Sequence, residues 1–301
     1  MLAFVFIHLF GFAVTASTLD TATDSNTSSV ETELSEALPF PPNSRFHLKP
    51  YEPPGQPAAR FDVSSVYMAC AFGLFNRSLE ESQPTGRSAN HFYDLTSQGN
   101  DGPDIQIITQ HQPQAPPLTL GLWTLEGIMQ RLKRFRKTMP RMSFELHLQP
   151  RGPMDSFGTI DSQTAPPPLA SKPDFSDIAV TPRPGARPID LRDTFLASLK
   201  VFKRVGGMTD KDSVVTLNRN FAVGSVEMNF FAWPGQPHIM TMREVSRAAM
   251  AMLQYEKTNG EQFQEVRAVV ARNGIVVGHA EINLKGNQIV EPAVVEPVDV
   301  E

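Results

Sequence analysis

The sequence predicts an α+β fold made of two similar αββαββ halves, each a small antiparallel sheet carrying two helices on one face. Three observations lead there. Amphipathic helical stretches alternate with pairs of short β-like runs, and a proline-rich stretch divides the chain near its middle. The order of elements before that stretch then recurs after it, at a spacing of roughly 120 to 128 residues. At 301 residues the chain is long for one core and comfortable for two.

The first half is expected over residues 59–161 and the second over 186–286. Ala59-Arg60-Phe61-Asp62 and Ala186-Arg187-Pro188-Ile189-Asp190 each introduce a short helix, with Asp62 or Asp190 placed to cap the first turn. Val63, Val66, Tyr67, Cys70 and Leu74 then share one helical face, as do Leu191, Phe195, Leu199 and Phe202 before Gly206-Gly207 ends the second helix. Each helix precedes two β-like runs, Phe92–Leu95 with Ile105–Ile108 and Val214–Leu217 with Val226–Phe230. Proline-bearing loops lead on to a longer helix. In the second half it opens with the capping box Thr241-Met242-Arg243-Glu244 and shows Val245, Ala248, Ala249, Met252 and Leu253 on one stripe. Its counterpart uses Leu125, Ile128, Met129, Leu132 and Phe135. A hairpin closes each half, Ser143–Gln149 with Phe157–Ile160 and Phe263–Ala271 with Ile275–Leu284.

Residues 1–16 are apolar but for His8 and Thr15, and Val14-Thr15-Ala16 offers small side chains for cleavage, the pattern of a secretory signal peptide too short to span a bilayer. The mature protein is therefore expected outside the cell, free or associated with the cell wall, and without a membrane span. Residues 17–58 are rich in Ser, Thr, acidic residues and then Pro, with too few bulky apolar side chains to offset the entropy of ordering, and read as a disordered arm. Residues 162–185 read as a proline-rich linker, and 287–301 as an acidic tail. In a secreted chain, Asn26-Thr27-Ser28 and Asn76-Arg77-Ser78 make Asn26 and Asn76 candidate glycosylation sites.

Asp20, Asp24, Glu31, Glu33 and Glu36 account for the whole net charge of −5, so the remainder is balanced and a nucleic-acid partner is not expected. Cys70 is the single cysteine, which rules out a disulfide within the chain, and its apolar helical setting reads as a buried, inert thiol. Catalytic, P-loop, dinucleotide and zinc signatures do not occur, so neither a metal nor a cofactor is expected.

The last hairpin supplies the candidate polar site. A three-residue turn at Arg272-Asn273-Gly274 would pair Ala271 with Ile275 and place Glu265, Arg267, His279 and Glu281 on the face opposite Val266, Ala268 and Val270. Two carboxylates, an imidazole and a guanidinium together suit acid–base or metal chemistry, and equally suit a solvated sheet face. Glu145 and His147 alternate in the same way in the first half. Arg131, Lys133, Arg134, Arg136, Lys137 and Arg141 form a basic run that reads as a solvated helix face or as a surface for an acidic glycan or lipid headgroup. The leading functional expectation is a non-enzymatic binding or interaction protein. The alternative is a secreted hydrolase with its site in a groove between the halves, near His238, His279 or Glu281.

Overall fold

A computed structural model describes residues 41–80, 88–96, 102–109, 117–149, 152–163, 173–215, 218–233, 239–259 and 262–286. The expected signal peptide, Asn26, the acidic tail, His238 and most of the arm lie outside the described residues.

The fold is mixed α+β, with four helices and three antiparallel sheets among the described residues. The chain runs through β1 (Arg45–Pro50), β2 (Arg60–Asp62), α1 (Val63–Leu79), β3 (Ser88–Tyr93), β4 (Pro103–Thr109), α2 (Pro117–Leu132), β5 (Thr138–Pro140), β6 (Met142–His147) and β7 (Ser156–Ser162). It continues through β8 (Ile178–Pro182), α3 (Leu191–Gly206), β9 (Arg219–Val223), β10 (Val226–Ala232), α4 (Met242–Asn259), β11 (Val266–Arg272) and β12 (Ile275–Leu284). One sheet has the strand order β1-β6-β7-β4-β3 and the other β8-β11-β12-β10-β9, the same order in each. The short β2–β5 pair has its parallel in an isolated bridge between Pro188 and Gln264.

Local chemistry sets the helix starts. Asp62 accepts from Ser64 N at 2.7 Å, and Asp190 from Asp193 N at 2.9 Å, each satisfying a donor the first turn leaves open. In the capping box, Thr241 N donates to Glu244 Oε2 at 2.7 Å while Glu244 N reaches Thr241 Oγ1 at 3.4 Å.

The helices pack against one another between the two sheets. α1 is apolar nearly all round, and a helix of that kind needs a neighbour on every side. Its Tyr67 ring stacks on Phe195 of α3 with centroids 5.1 Å apart, and Phe75 meets Phe202 edge-on at 6.2 Å. Ser78 and Ser246 share a buried hydrogen bond of 3.0 Å, and Lys203 pairs with Glu126 at 2.8 Å. The buried side chains thus form one continuous core across both sheets. Among the described residues, these helices meet where the hydrolase alternative expected a groove between the halves.

Glycine permits a close approach at one place in each sheet. A Cβ on Gly158 of β7 would sit 1.7 Å from the Gln106 carbonyl oxygen, and one on Gly278 of β12 would sit 2.4 Å from that of Phe231.

Four further expectations are corrected. Residues 45–50 of the predicted arm form an edge strand, because Phe46 and Leu48 alternate inward and the Phe46 ring lies over Gly127, 2.6 Å from where a Cβ would be. Residues 178–182 of the predicted linker likewise form β8, so each of the two larger sheets has five strands. The run at Val214–Leu217 contributes only a bridge from Val214 to Thr241, and the strand preceding β10 is Arg219–Val223, turned by Gly224 at φ 55°. In the last hairpin the turn has two residues, Asn273 and Gly274, both at positive φ, with Arg272 opposite Ile275 and a bulge after Val270. That displaces the body of the pairing by two residues, to Val266 opposite Ile282, and a shift of two leaves the residues before the bulge on their expected faces, whereas Val276, expected among the apolar ones, is exposed.

Glu256 of α4 is 1% exposed and accepts a hydrogen bond from Gln264 N at 2.6 Å. Burial pushes its carboxyl up to about 7, against the pull of that bond. A raised carboxyl favours the folded state at low pH, and this contribution is lost as pH rises from the ordinary Glu range through about 7. Glu256→Gln should therefore leave stability unchanged at pH 4 and raise it by about 2 kcal/mol at pH 8, measured by urea unfolding at both values.

Candidate functional site

The four candidate residues of the last hairpin separate into two structural roles. Glu265 lies just before β11 and is 3% exposed. Its carboxylate accepts from Arg187 Nε at 3.2 Å, Arg187 Nη2 at 3.0 Å, Arg187 N at 3.2 Å and Leu284 N at 3.1 Å. Burial pushes this carboxyl up, but the Leu284 and Arg187 hydrogen bonds and the guanidinium charge together hold it below the usual range. A lowered carboxyl stabilises the fold above the ordinary Glu range and ceases to do so as pH falls through its folded value. Arg187→Met should thus cost about 2 kcal/mol at pH 7, with the deficit narrowing at pH 3, as followed by chemical denaturation.

Arg267 and Glu281 face each other across β11 and β12, with Nε 3.8 Å from Oε1. Glu281 also accepts from Asn283 Nδ2 at 3.0 Å, and Asn283 Oδ1 accepts from Arg183 Nη1 at 2.6 Å. On the same face Asn220 donates to Glu227 and to Asn229, 3.1 and 2.7 Å away. The result is a polar ladder across the sheet in which the Asn and Glu side chains bond to one another, while Arg267 Nε is buried without a hydrogen bond among the described residues. Arg183, Asn220, Glu227, Asn229 and Asn283 were not among the sequence candidates, although Glu227 and Asn229 alternate with Val226, Met228 and Phe230, which was the available signal.

His279 stays on this outer face but is only 8% exposed, stacked on Phe231 with centroids 4.5 Å apart. Burial, then the Arg267 charge, lowers its pKa against the pull of Glu281, so the ring is neutral at neutral pH. Its Nε2 is buried and makes no hydrogen bond among the described residues. No group of three or more metal-ligating side chains forms among the described residues. In the first half, His147 lies 3.6 Å from Glu145, and His91 is 3.0 Å from Asp104 on strands farther across the sheet. Cys70 is wholly buried and its thiol is pushed well above its ordinary value by burial. Asn76 is exposed on α1. No helix among the described residues is long and apolar enough to cross a membrane.

The basic run divides. Arg131 and Arg134 donate to the carbonyls of Phe46 and Leu48, at 3.4 and 3.0 Å, and so cover the outer edge of β1. Arg141, 6% exposed, donates to Asp161, to Pro57 O at 2.7 Å and to Ser162 Oγ at 3.3 Å. Lys133, Arg136 and Lys137 are exposed and make no ion pair among the described residues.

Beside this run the loop from β1 to β2 encloses a cleft of about 380 Å³. Tyr51, Pro53, Pro54 and Pro140 supply its apolar wall, with Arg60, Arg141 and Glu52 as the charged lining. Its origin shows in the corresponding place of the second half. Tyr51 N donates to Arg141 O at 3.0 Å just as Arg183 N donates to Glu265 O at 3.1 Å. After Arg183 the second chain segment reaches Arg187 within four residues and fills the space with the Arg187–Glu265 pair. After Tyr51 the first segment takes eight residues to reach Ala59, through Pro53-Pro54-Gly55, and leaves the space open. Gly55 at φ 75° provides the turn.

No protein-family model and no curated protein matches the chain. Among solved structures, the crystal structure of the tandem DUF26 ectodomain from the Arabidopsis thaliana cysteine-rich receptor-like protein PDLP5 is similar over 80% of this chain and 98% of that one. That likeness has 12% identity and a TM-score of 0.21, a level that carries no inference about fold or role.

Proposed function

We propose that this chain is a secreted, non-enzymatic binding protein built by duplication of one α+β unit, with the cleft between β1 and β2 as its binding site. The observation that carries the reading is the cleft itself: one half keeps a ligand-sized opening where the other half has an ion pair. The common strand order of the two sheets supports the duplication, with residues 59–161 and 186–286 as its bodies and a leading strand added to each. The apolar leader at 1–16 supports secretion, and an exposed Asn76 supports glycosylation there, alongside Asn26 in the arm. The polar residues first considered for chemistry are engaged in structural pairs or stacking, which favours binding over hydrolysis.

Saturation-transfer NMR of the full mature chain with a mixture of neutral and acidic oligosaccharides tests this. Binding should appear for at least one component and vanish in Ala58→Trp, which fills the cleft from an exposed lining position. Signals unchanged in that variant, or hydrolysis products accumulating in the mixture, would overturn the reading.

A further inference from the structure

Resting on that reading of the cleft, we infer that its ligand is an acidic polysaccharide, a sugar chain bearing carboxylate or sulfate groups, held in the cleft and along the cations that follow α2. Three observations converge.

The first is charge reversal at equivalent positions. The residue before β11 is Glu265, whereas the residue before β6 is Arg141. Both are buried and both accept the same kind of backbone hydrogen bond through their carbonyl oxygens. In the second half the acid is neutralised by Arg187; in the first, Arg141 pairs with Asp161 on one side and lines an open cleft together with Arg60. Arg141 is held rigid by Asp161, Pro57 O and Ser162, and Arg60 is exposed without a partner among the described residues.

The second is a set of unspent cations that is continuous with the cleft. Arg60 is paired with Pro140 in the β2–β5 ladder, and Lys137 O accepts from Val63 N at 2.8 Å, so the segment 133–137 leads directly to the cleft wall. Cations near the end of α2 favour its dipole, and Arg131 and Arg134 cover a strand edge. Lys133, Arg136, Lys137 and Arg60 are exposed and make no ion pair among the described residues. Elsewhere in the molecule Arg187, Lys203, Arg243, Arg247 and Arg272 all have carboxylate partners.

The third is shape. A cleft of about 380 Å³ walled by a tyrosine and prolines suits a sugar ring. A lipid surface would call for large apolar side chains beside the cations. Among the described residues the exposed ones other than Tyr51 are Val214, Val269, Ile275 and Val276, which belong to the other sheet or its connections. Glu52 is the one carboxylate of the lining and opposes an anionic ligand.

Binding of the full mature chain to polygalacturonate and to dextran sulfate, with neutral dextran, phosphatidylserine vesicles and a DNA duplex alongside, tests the inference by calorimetry at 0.15 M salt. Both acidic polymers should bind and neutral dextran should not. Lys133→Gln/Arg136→Gln/Lys137→Gln should weaken binding at least tenfold, since each surface charge contact contributes up to about 1 kcal/mol. Lys200→Gln/Arg204→Gln/Lys285→Gln, which removes equal charge elsewhere, should change it less than about twofold. Glu52→Gln should strengthen it. Equal losses in the two triple variants, or binding to vesicles or DNA in preference to the polymers, would overturn the inference. Neutral sugars bound in an Ala58→Trp-sensitive way, with no response to the first triple variant, would also overturn it while leaving the cleft as the binding site.

Discussion

A chain truncated to residues 41–163 is expected to lose cooperative unfolding as a monomer, although it retains all five strands of its sheet. The reason lies in α1, which is buried on nearly every side. Removing the second half uncovers Tyr67, Phe75 and Leu122, whose neighbours are Phe195, Phe202 and Gly206. Side chains of this size contribute about 1.5 to 3 kcal/mol each when buried, so their exposure costs an amount comparable with the whole stability of a small domain. The cut also leaves Glu126 without Lys203. Circular dichroism with analytical ultracentrifugation checks the result, and a folded, monomeric fragment with a sharp melt would show that each half carries its own core.

Gly158→Ala should be the most damaging single methyl addition, costing roughly 3 kcal/mol or more. The new Cβ would meet the Gln106 carbonyl oxygen 1.7 Å away and the Phe144 ring at 2.8 Å. The carbonyl belongs to the neighbouring strand, and nothing flexible can give way, so β4 and β7 must separate. Gly55→Ala provides the contrast: nothing lies within 4 Å of its Cβ, and only the positive φ of 75° opposes the change, at about 1 kcal/mol. Equal melting temperatures for the two variants would refute the crowding at β7.

What the sequence revealed and what it hid divide along the range of the interactions. Asp62, Asp190 and the Thr241–Glu244 box act within a turn of their own position, so the helix starts could be read directly. Edge strands offer much less to read. β1 needs only Phe46 and Leu48 facing inward among charged neighbours and prolines, and β8 buries only Ile178 within a proline-rich stretch, so composition suggested an arm and a linker. The candidate cluster kept its faces because the tighter turn and the bulge together moved the pairing by two, yet Glu265 found Arg187 nearly 80 positions away, which no local pattern encodes. The cleft was hidden for a different reason. It is defined by the greater length of one loop relative to its counterpart, and by Arg141 where the other half has Glu265, so it emerges only when the two halves are laid side by side.

The shared helical core also bears on how copies of this chain can assemble. The fifteen residues between Ser162 and Ile178 are the only covalent tie between two bodies that otherwise hold each other through whole helices. A first half therefore fits the second half of another molecule as well as its own. At high protein concentration this gives the chain a route to an exchanged dimer in which α1 of one copy packs on α3 of the other, every core neighbour is native, and two copies of the cleft are carried on one particle.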